Sequence, residues 1–540
     1  MSSKIGQYLQ WLLLVPPIVA ASLLSSRWMQ SHKPAAVQKS VVQQVMPSEQ
    51  EKREYVLEVI SMGVTLDKYR QGKLWEALLK GNAYASIREQ DKEKYPWDSM
   101  QRAGIAGGRG GDTLENAANY IPMYFGVPVF NAEPPIFNSS MLDSPESPAI
   151  GLTGGATSSG LHWHLFTAGP RRLSEHPDRI LEDVFAFFDA NPDVPYIVLN
   201  SEDSMPTRDL YSPDNSPPLV KNGHYIPEMP DASALFVLAR RERIEAVRKF
   251  AYNDAPPEDS VDDLNTYGVA RRLYLAYDHL MRTVPHPRKK EDPNAFTQRQ
   301  PTIEEWLPVA AQFAQRPDIR GTGTFSMFDK LNPKTYFSPR DWQPTPWFPL
   351  PFNKEQLAQI DRLPTLGFIH RPTFVKMTDA EGKPLTRRDQ RELALQAGWQ
   401  EALRSLPETE RPVAPARLIA ATGGDTNQLV ALHKTLLKHA EDSGPELDSG
   451  KPQQWIDCDK RLGNTGAATL FVQMAIGVMG SYRDGGVSAV VNLRNRDEAS
   501  IVMISPPSDE KRRTQHHPHG GDVFRHRVAP AIDPANYPAN

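Results

Sequence analysis

DRILEDVFAFFDANPDVPYIVLN, residues 178–200, changes its hydrophobic period in the middle. Its first half places apolar residues at helical spacing with acidic residues between them, which predicts an amphipathic helix. Asn191-Pro192-Asp193 is a turn sequence, and the apolar run after it predicts a strand that ends at Asn200. A helix followed closely by a buried strand is typical of an α/β protein.

The same alternation continues on both sides of this stretch. Before it, YVLEVISMGVTL (55–66) predicts a strand and GKLWEALLKG (72–81) a short helix. After it, helix and strand signals alternate. They are TYGVARRLYLAYDHLMRTV (266–284, helix), TLGFIHRPTFVKM (365–377, strand or hairpin), ARLIAAT (416–422, strand), GGDTNQLVALHKTLLKHA (423–440, helix), VSAVVNL (487–493, strand) and SIVMIS (500–505, strand). The pattern predicts an α/β fold with mixed α+β layers.

At 540 residues the chain exceeds one ordinary core, so we expect two domains, connected and covered by many proline-rich loops. The predicted segments are a hydrophobic N-terminal segment (1–30), a linker (31–51), an N-terminal α/β domain (52–284), a second linker (285–302), a C-terminal α/β domain (303–505) and a tail rich in histidine and proline (506–540).

Three stretches carry weaker signals. AGIAGGRGGD (103–112) contains five glycines, which predicts a loop. Residues 127–148 and 211–230 are punctuated by proline and predict irregular surface structure. Asp231 is placed to cap a helix that would run to about Tyr252.

Composition excludes several classes of protein. The formal net charge is −4, so the chain lacks the basic balance of a nucleic-acid-binding protein. Its 49 prolines indicate long irregular connections. Cys458 is the single cysteine, which excludes an internal disulfide framework and a zinc site built from cysteines.

The N-terminus has three interpretations. Residues 5–26 carry no charge, and an apolar run within 5–24 could contact or span a membrane, although Pro16-Pro17 counts against a span. Val19-Ala20-Ala21 also suits cleavage of a signal peptide. A buried or peripheral segment is the third interpretation. We expect a cytoplasmic body, with tethering to the inner membrane as an alternative.

GLTGGATSSGLHWH (151–164) is the strongest candidate for catalysis in the sequence. It lacks the lysine of a phosphate-binding loop and the spacing of a dinucleotide fingerprint. Ser158 sits in a variant of the nucleophile elbow, but no helix signal follows it. A hydrolase would take Asp203 as its acid and His279 or His370 as its base, and the sequence does not choose between them. The favoured interpretation is a glycine loop between two strands.

Two groups of histidines and one acidic run are further candidate sites. His162 and His164 would lie on one face of a strand, two residues apart. The acidic run NSEDS (200–204) follows a strand, where α/β proteins often place active groups. The tail adds His516, His517, His519, Asp522 and His526. Each group is better explained without a dedicated site, so no metal and no cofactor are expected.

Recognition is predicted for the aromatic, proline-rich run YFSPRDWQPTPWFPLPF (336–352). Prolines stiffen the backbone and aromatic rings provide contact area, which suits partner binding. Packing over the protein's own sheet is the alternative. The candidate contact residues are Tyr336, Phe337, Trp342, Trp347, Phe348 and Phe352.

Three runs resemble the type VI secretion lipase-effector adaptor family. They are GVTLDKYRQGKLWEAL (63–78), GTGTFSMFDKLNPKTYFSPRDW (321–342) and GFIHRPTFVKM (367–377), and the likeness covers about residues 52–505. The resemblance implies a protein that is not an enzyme. It implies binding of a phospholipase effector in the cytoplasm and delivery of that effector to the spike protein of a type VI secretion machine. It supplies no catalytic residue, and the hydrophobic N-terminus departs from a freely cytoplasmic adaptor.

Overall fold

A computed structural model describes residues 55–138, 161, 163–254, 269–285, 299–316 and 342–526. The strands are β1 (Val56–Leu66), β2 (Tyr69–Arg70), β3 (Gly126–Glu133), β4 (Leu165–Leu173), β5 (Tyr196–Asp203), β6 (Ala232–Ala239), β7 (Gly367–His370), β8 (Thr373–Lys376), β9 (Arg417–Ala421), β10 (Trp455–Asp457), β11 (Ser488–Asn492) and β12 (Glu498–Ser505).

Thirteen α-helices lie among these strands in the described part of the chain. They are α1 (Gly72–Leu79), α2 (Ser99–Ala118), α3 (Ile180–Ala190), α4 (Met205–Tyr211), α5 (Arg241–Arg248), α6 (Val269–Thr283), α7 (Ile303–Gln315), α8 (Lys354–Asp361), α9 (Arg388–Arg404), α10 (Thr426–Glu441), α11 (Cys458–Arg461), α12 (Thr469–Asp484) and α13 (Asp509–Thr514). The predicted mixed α/β fold is confirmed.

The two halves of the chain use the same strand order. In the sheet the order is β10-β9-β11-β12-β7-β1-β6-β5-β3-β4, with β2 on β1 and β8 on β12. Each half has a parallel triplet, β5-β3-β4 in the first and β11-β9-β10 in the second. In the first half, β6 pairs antiparallel with β5 and with β1. In the second half, β12 pairs antiparallel with β11 and with β7. The halves join where Val56–Val59 pairs with residues 367–370. The predicted domain division stays a prediction, since this join makes one sheet of both halves.

Helix α12 is the centre of the core. It contacts β9, β11 and β12 of its own half and also β1, β6 and β7 near the join. Residues 469–482 are all buried, so no face of the helix is left for solvent over that length. A helix that is apolar all round is expected where it is covered on every side.

Several predictions are confirmed and three need correction. The signals in 178–200 correspond to α3 and β5. The glycine-rich run 103–112 is not a loop, because it lies inside α2. The α2 helix is capped by Asp98 and packs so closely that a Cβ on Gly63 of β1 would lie 1.9 Å from the carbonyl oxygen of Thr113. Tertiary packing therefore outweighs the low helix propensity of glycine here.

Two strands were missed for different reasons. Residues 126–133, expected to be irregular, form β3, and the helix expected after Asp231 begins only at Arg241 because 232–239 form β6. Both strands are buried along their whole length. Prolines in 127–148 predicted irregular structure where β3 forms. Strand β6 is covered on both faces and lacks the alternation that identifies strands, so its apolar run was open to a helical interpretation. Residues 216–230, by contrast, are irregular as expected.

Some predictions fall outside the described residues. These are the N-terminal segment 1–30 and linker 31–51, most of the linker 285–302, Ser158, His162, Tyr336 and Phe337. Among the described helices, none combines the length and apolar character needed to cross a bilayer.

Candidate partner-binding surface

The aromatic residues predicted to bind a partner lie in the core where they are described. Trp342 and Trp347 are 8% and 5% exposed, and Phe348 and Phe352 are 1% and 0% exposed. The Trp347 indole donates to Asn191 Oδ1 at 3.0 Å, and the Phe348 ring lies 4.9 Å from the ring of Phe125. Partner binding by these rings stays a prediction, and replacing them also removes core packing.

Neither His279 nor His370, the histidines considered as a catalytic base, bonds to Asp203, the acid considered with them. His370 is buried, with Nδ1 2.8 Å from the Ser405 carbonyl oxygen and Nε2 2.8 Å from Ser505 Oγ. Burial lowers the pKa of His370 to about 4. His279 is exposed on α6, whereas Asp203 accepts hydrogen bonds from Arg208 and the Ala467 amide. The described residues therefore assemble no acid–histidine pair from this set.

His164 is a core residue in a turn before β4. Its Nε2 lies 3.2 Å from the Ile121 carbonyl oxygen, so the backbone satisfies it. Within the described ranges no three histidine, cysteine or acidic side chains gather as a metal site would require.

The histidine-rich tail packs against the N-terminal half. The rings of His517 and His519 lie 4.7 Å and 5.2 Å from the ring of Tyr120, which follows α2. His526 Nδ1 lies 3.0 Å from Asn116 Nδ2. Asp522 pairs with Arg483 of α12, and His516 is exposed. The first part of the tail therefore fastens the two halves together.

A different set of apolar residues faces solvent. Five of the ten large hydrophobic side chains exposed in the described structure lie near the ends of β3, β5 and α2, four of them on loops and Met100 in the first turn of α2. We call this set the apolar surface: Trp97 (51% exposed), Met100 (60%), Phe137 (60%), Leu219 (41%) and Ile226 (37%). Exposed apolar groups that gather in one region mark interaction sites more often than scattered ones do.

Backbone contacts hold the segments of the apolar surface together. The Gly223 amide donates to the Trp97 carbonyl oxygen at 2.7 Å, and the Ser99 amide donates to Asn222 Oδ1 at 2.9 Å. Phe137 is placed beside α4 by its amide, which donates to the Tyr211 carbonyl oxygen at 2.8 Å. The apolar surface is thus built from three loops and the first turn of α2, and each of these segments bonds to a neighbour.

Arg102 of α2 holds residues 223–225 against the start of the helix. Its Nη2 donates to the Gly223 carbonyl oxygen at 2.7 Å, and its guanidinium stacks 3.9 Å from the ring centre of Tyr225. The side chain is buried, so its charge acts in a region of low dielectric. A loop held in this way loses less conformational entropy when a partner binds.

Below the apolar surface lies a buried ionic network at the carboxyl edge of β5. Arg109 of α2 pairs with Asp231 at 2.5 Å and with Asp67 at 3.7 Å. Arg88 pairs with Asp67 at 3.3 Å and donates to the Pro227 carbonyl oxygen at 2.6 Å. Breaking such a pair leaves a buried charge without a partner, which is energetically costly. The network therefore holds residues 227–231 in position.

Two more ion pairs extend the network along the same edge. Arg208 forks between Asp203 at 2.7 Å and Glu175 at 2.8 Å. Arg171 pairs with Glu133 at 2.7 Å, and that carboxylate also accepts from the Tyr211 hydroxyl. The acidic run 200–204 thus contributes Asp203 to a structural ion pair, with Arg208 as its counter-charge.

Glu202 differs from the other acidic residues of this edge. No described residue forms an ion pair or hydrogen bond with its carboxylate. Burial, together with the nearby charges of Glu133, Asp231 and Asp203, raises the pKa of Glu202 to about 7. This carboxyl therefore exchanges a proton near neutral pH.

Sequence reasoning missed the apolar surface because exposure depends on tertiary structure. The local signal is PWDSM (96–100), in which the cap residue Asp98 stands between two large apolar residues. An N-cap lies at the protein surface in most helices, so its neighbours are candidates for exposure. As a whole, the arrangement suits protein binding, since rigid loops present apolar side chains above a fixed base.

Two models of protein families match the chain. "Type VI lipase adapter protein Tla3, N-terminal" matches residues 55–222, and "Type VI lipase adapter protein Tla3, C-terminal" matches residues 366–506. The first match includes Trp97, Met100, Phe137 and Leu219 of the apolar surface, and the two matches together contain every strand of the described sheet except β6.

Solved structures give a much weaker likeness. A ketosynthase/chain length factor for ishigamide is 9% identical, with a TM-score of 0.39 over 84% of this chain and 100% of that chain. The ketosynthase from module 6 of the bacillaene synthase of Bacillus subtilis is 9% identical, with a TM-score of 0.39 over 84% and 71%. Human mitochondrial 3-ketoacyl-CoA thiolase in complex with CoA is 9% identical, with a TM-score of 0.33 over 84% and 99%. Likenesses this distant suggest no activity for the chain.

Proposed function

The chain belongs to the type VI lipase adapter family, and we propose that it binds a phospholipase effector in the cytoplasm and loads it onto the spike protein of a type VI secretion system. The chain would act without catalysis. By holding effector and spike at once, it would raise the effective concentration of the effector at the spike.

The observation that supports this proposal is the apolar surface on a rigid base. Trp97 and Met100 are more than half exposed, yet the backbone that carries them is bonded to a second loop and clamped by Arg102. Large, pre-ordered apolar side chains are the usual anchors of a protein interface. We assign the apolar surface to the phospholipase effector.

Co-purification tests the proposal. The tagged full-length chain is co-expressed with a phospholipase effector and a spike protein of one type VI system, first in pairs and then all together. We expect the adaptor to capture the effector and the spike, and the effector to reach the spike more completely when the adaptor is present. Failure to bind any phospholipase effector of the system would remove the proposal.

A pair of variants links the test to the surface. Trp97→Ala with Met100→Glu should abolish effector capture, because both anchors are lost. Leu393→Glu is the matched control, since Leu393 is 64% exposed on α9 in the other half. Equal loss of capture in both variants would argue against the assigned surface. Fractionation of the full-length chain, with and without residues 1–30, would show whether the N-terminal segment tethers it to the membrane.

A further inference from the structure

A groove separates α1 from the segment that follows it. Its volume is about 630 Å³, within the range of pockets that hold ligands. Its apolar lining includes Tyr69, Ala77, Ala85 and Ile87. The groove lies where residues 68–87 meet Arg461 of α11, and its lining shares no residue with the apolar surface.

The walls of the groove are bonded to each other. The Ile87 amide donates to the Arg461 carbonyl oxygen at 3.0 Å, and the Tyr69 hydroxyl donates to the Ile87 carbonyl oxygen at 3.1 Å. The Arg461 guanidinium donates through Nη2 to the Leu78 carbonyl oxygen of α1 at 2.9 Å. The groove is therefore a fixed feature joining β2, α1 and α11.

The lining carries more basic than acidic side chains, in a chain of net negative charge. Lys68, Lys73, Lys80 and Arg461 line the groove with a single acid, Glu76, whereas the whole chain carries −4. Lys68 pairs with Glu89 at 3.2 Å and Lys73 pairs with Glu76 at 2.8 Å. No described acidic residue pairs with Lys80, which is exposed.

Arg461 adds a buried positive charge. It is 1% exposed, and its Nε and Nη1 have no hydrogen-bond partner among the described residues. Burial lowers the pKa of Arg461 below that of a solvent-exposed guanidinium. An uncompensated charge in a region of low dielectric projects a strong field to nearby solvent. An anion in the groove would feel this field without touching the side chain.

From this charge and shape we infer that the groove docks an acidic peptide segment of a partner protein. A peptide can place carboxylates near Lys80 and Lys68 while its apolar side chains cover Ala77 and Ile87. A nucleic acid would meet the net negative charge of the chain and offers nothing for that apolar lining. The inference rests on the proposed function, in which a partner supplies the segment.

A labelled peptide tests the groove directly. A ten-residue peptide rich in Asp and Glu is titrated with the full-length chain by fluorescence anisotropy, beside the same peptide carrying Asn and Gln. We expect saturable binding of the acidic peptide alone, weakened several-fold between about 50 and 300 mM salt because the contacts are screened. Lys80→Glu should weaken binding about tenfold, as expected for reversing an interfacial charge.

The controls separate the remaining explanations. Lys383→Glu, an exposed lysine in the turn before α9, should leave peptide binding unchanged, and circular dichroism should show both variants folded. Absence of saturable binding, or equal weakening by Lys383→Glu, would overturn the inference. Binding of phosphatidylglycerol vesicles that is lost in Lys80→Glu, with no binding of peptide, would also overturn it. Peptide binding without capture of an effector or spike would contradict the proposed function alone.

Discussion

Two irregular segments carry large apolar side chains and use them in opposite ways. Residues 342–352 turn Trp347, Phe348 and Phe352 into the core, beside Phe125 and Phe187. Residues 96–100, which include the start of α2 and bond to residues 222 and 223, leave Trp97 and Met100 more than half exposed. Both segments carry large apolar side chains, so the presence of such residues does not distinguish a surface segment from a core segment. What separates them is where the backbone bonds direct the side chains.

The largest expected effect is on folding stability. Phe348→Ala should lower the free energy of unfolding by about 3–5 kcal/mol, because it leaves a cavity in a packed core. Trp97→Ala should change it by less than about 0.5 kcal/mol, because half of that side chain is already exposed. Urea unfolding of both variants measures the difference. Similar losses in the two variants would erase the distinction between the segments.

The next effect is on binding. Trp97→Ala alone should weaken effector binding by about 2 kcal/mol, or roughly thirtyfold, as expected for an anchor residue. Titration calorimetry with purified effector measures it. Leu437→Ala, on an equally exposed leucine of α10, should leave affinity unchanged. An unaffected Trp97→Ala variant would move the binding surface elsewhere.

The base of the apolar surface should respond to pH through Glu202. The pKa of Glu202 is about 7 in the folded protein and 4.5 ordinarily, so the folded state favours the neutral carboxyl. The stability that depends on this carboxyl is therefore fully present below about pH 4.5 and is lost as the pH rises through 7. Glu202→Gln removes this dependence. Relative to wild type, the variant should gain on the order of 1–3 kcal/mol between pH 5 and pH 8. A stability difference that is flat with pH would show that Glu202 ionises normally.

The smallest effect concerns the tail and has the opposite sign. Burial lowers the pKa of His517 from 6.5 to about 4, helped by the nearby charges of His519 and Arg525. The folded state therefore favours the neutral imidazole of His517. The stability that depends on this imidazole is fully present above about pH 6.5 and is lost as the pH falls through 4. His517→Gln should reduce the loss of stability between pH 7 and pH 4 by about 1 kcal/mol. Thermal unfolding at several pH values would detect it, with exposed His516→Gln as the control.

The sequence predicted those elements that keep a clear period. Helix α3 and strand β5 were predicted because apolar residues recur every three or four positions before residue 190 and a short apolar run follows the turn. Strand β6 and helix α2 were not, since a strand covered on both faces has no alternation and five glycines conceal a helix that packs against β1.

The apolar surface could not be predicted from short stretches of sequence. Arg109 and Asp231 are separated by 122 positions and Arg102 and Tyr225 by 123, so neither contact has a signature in a short window. The acidic run 200–204 was noticed, but only the fold shows that Arg208 neutralises Asp203 while Glu202 keeps its proton near pH 7. Exposure of Trp97 likewise depends on which loop lies beside it.

The position of α12 has a consequence for synthesis on the ribosome. Strands β1 and β6 are complete once Ala239 has been made, yet the helix that covers them ends at Asp484. At ordinary elongation rates that interval lasts on the order of 10 to 50 seconds. During it the nascent N-terminal half exposes an apolar sheet face, which is a substrate for chaperones and a route to aggregation. Fragments that stop before Thr469 would keep that face open permanently, so a soluble N-terminal half would need α12 supplied in trans.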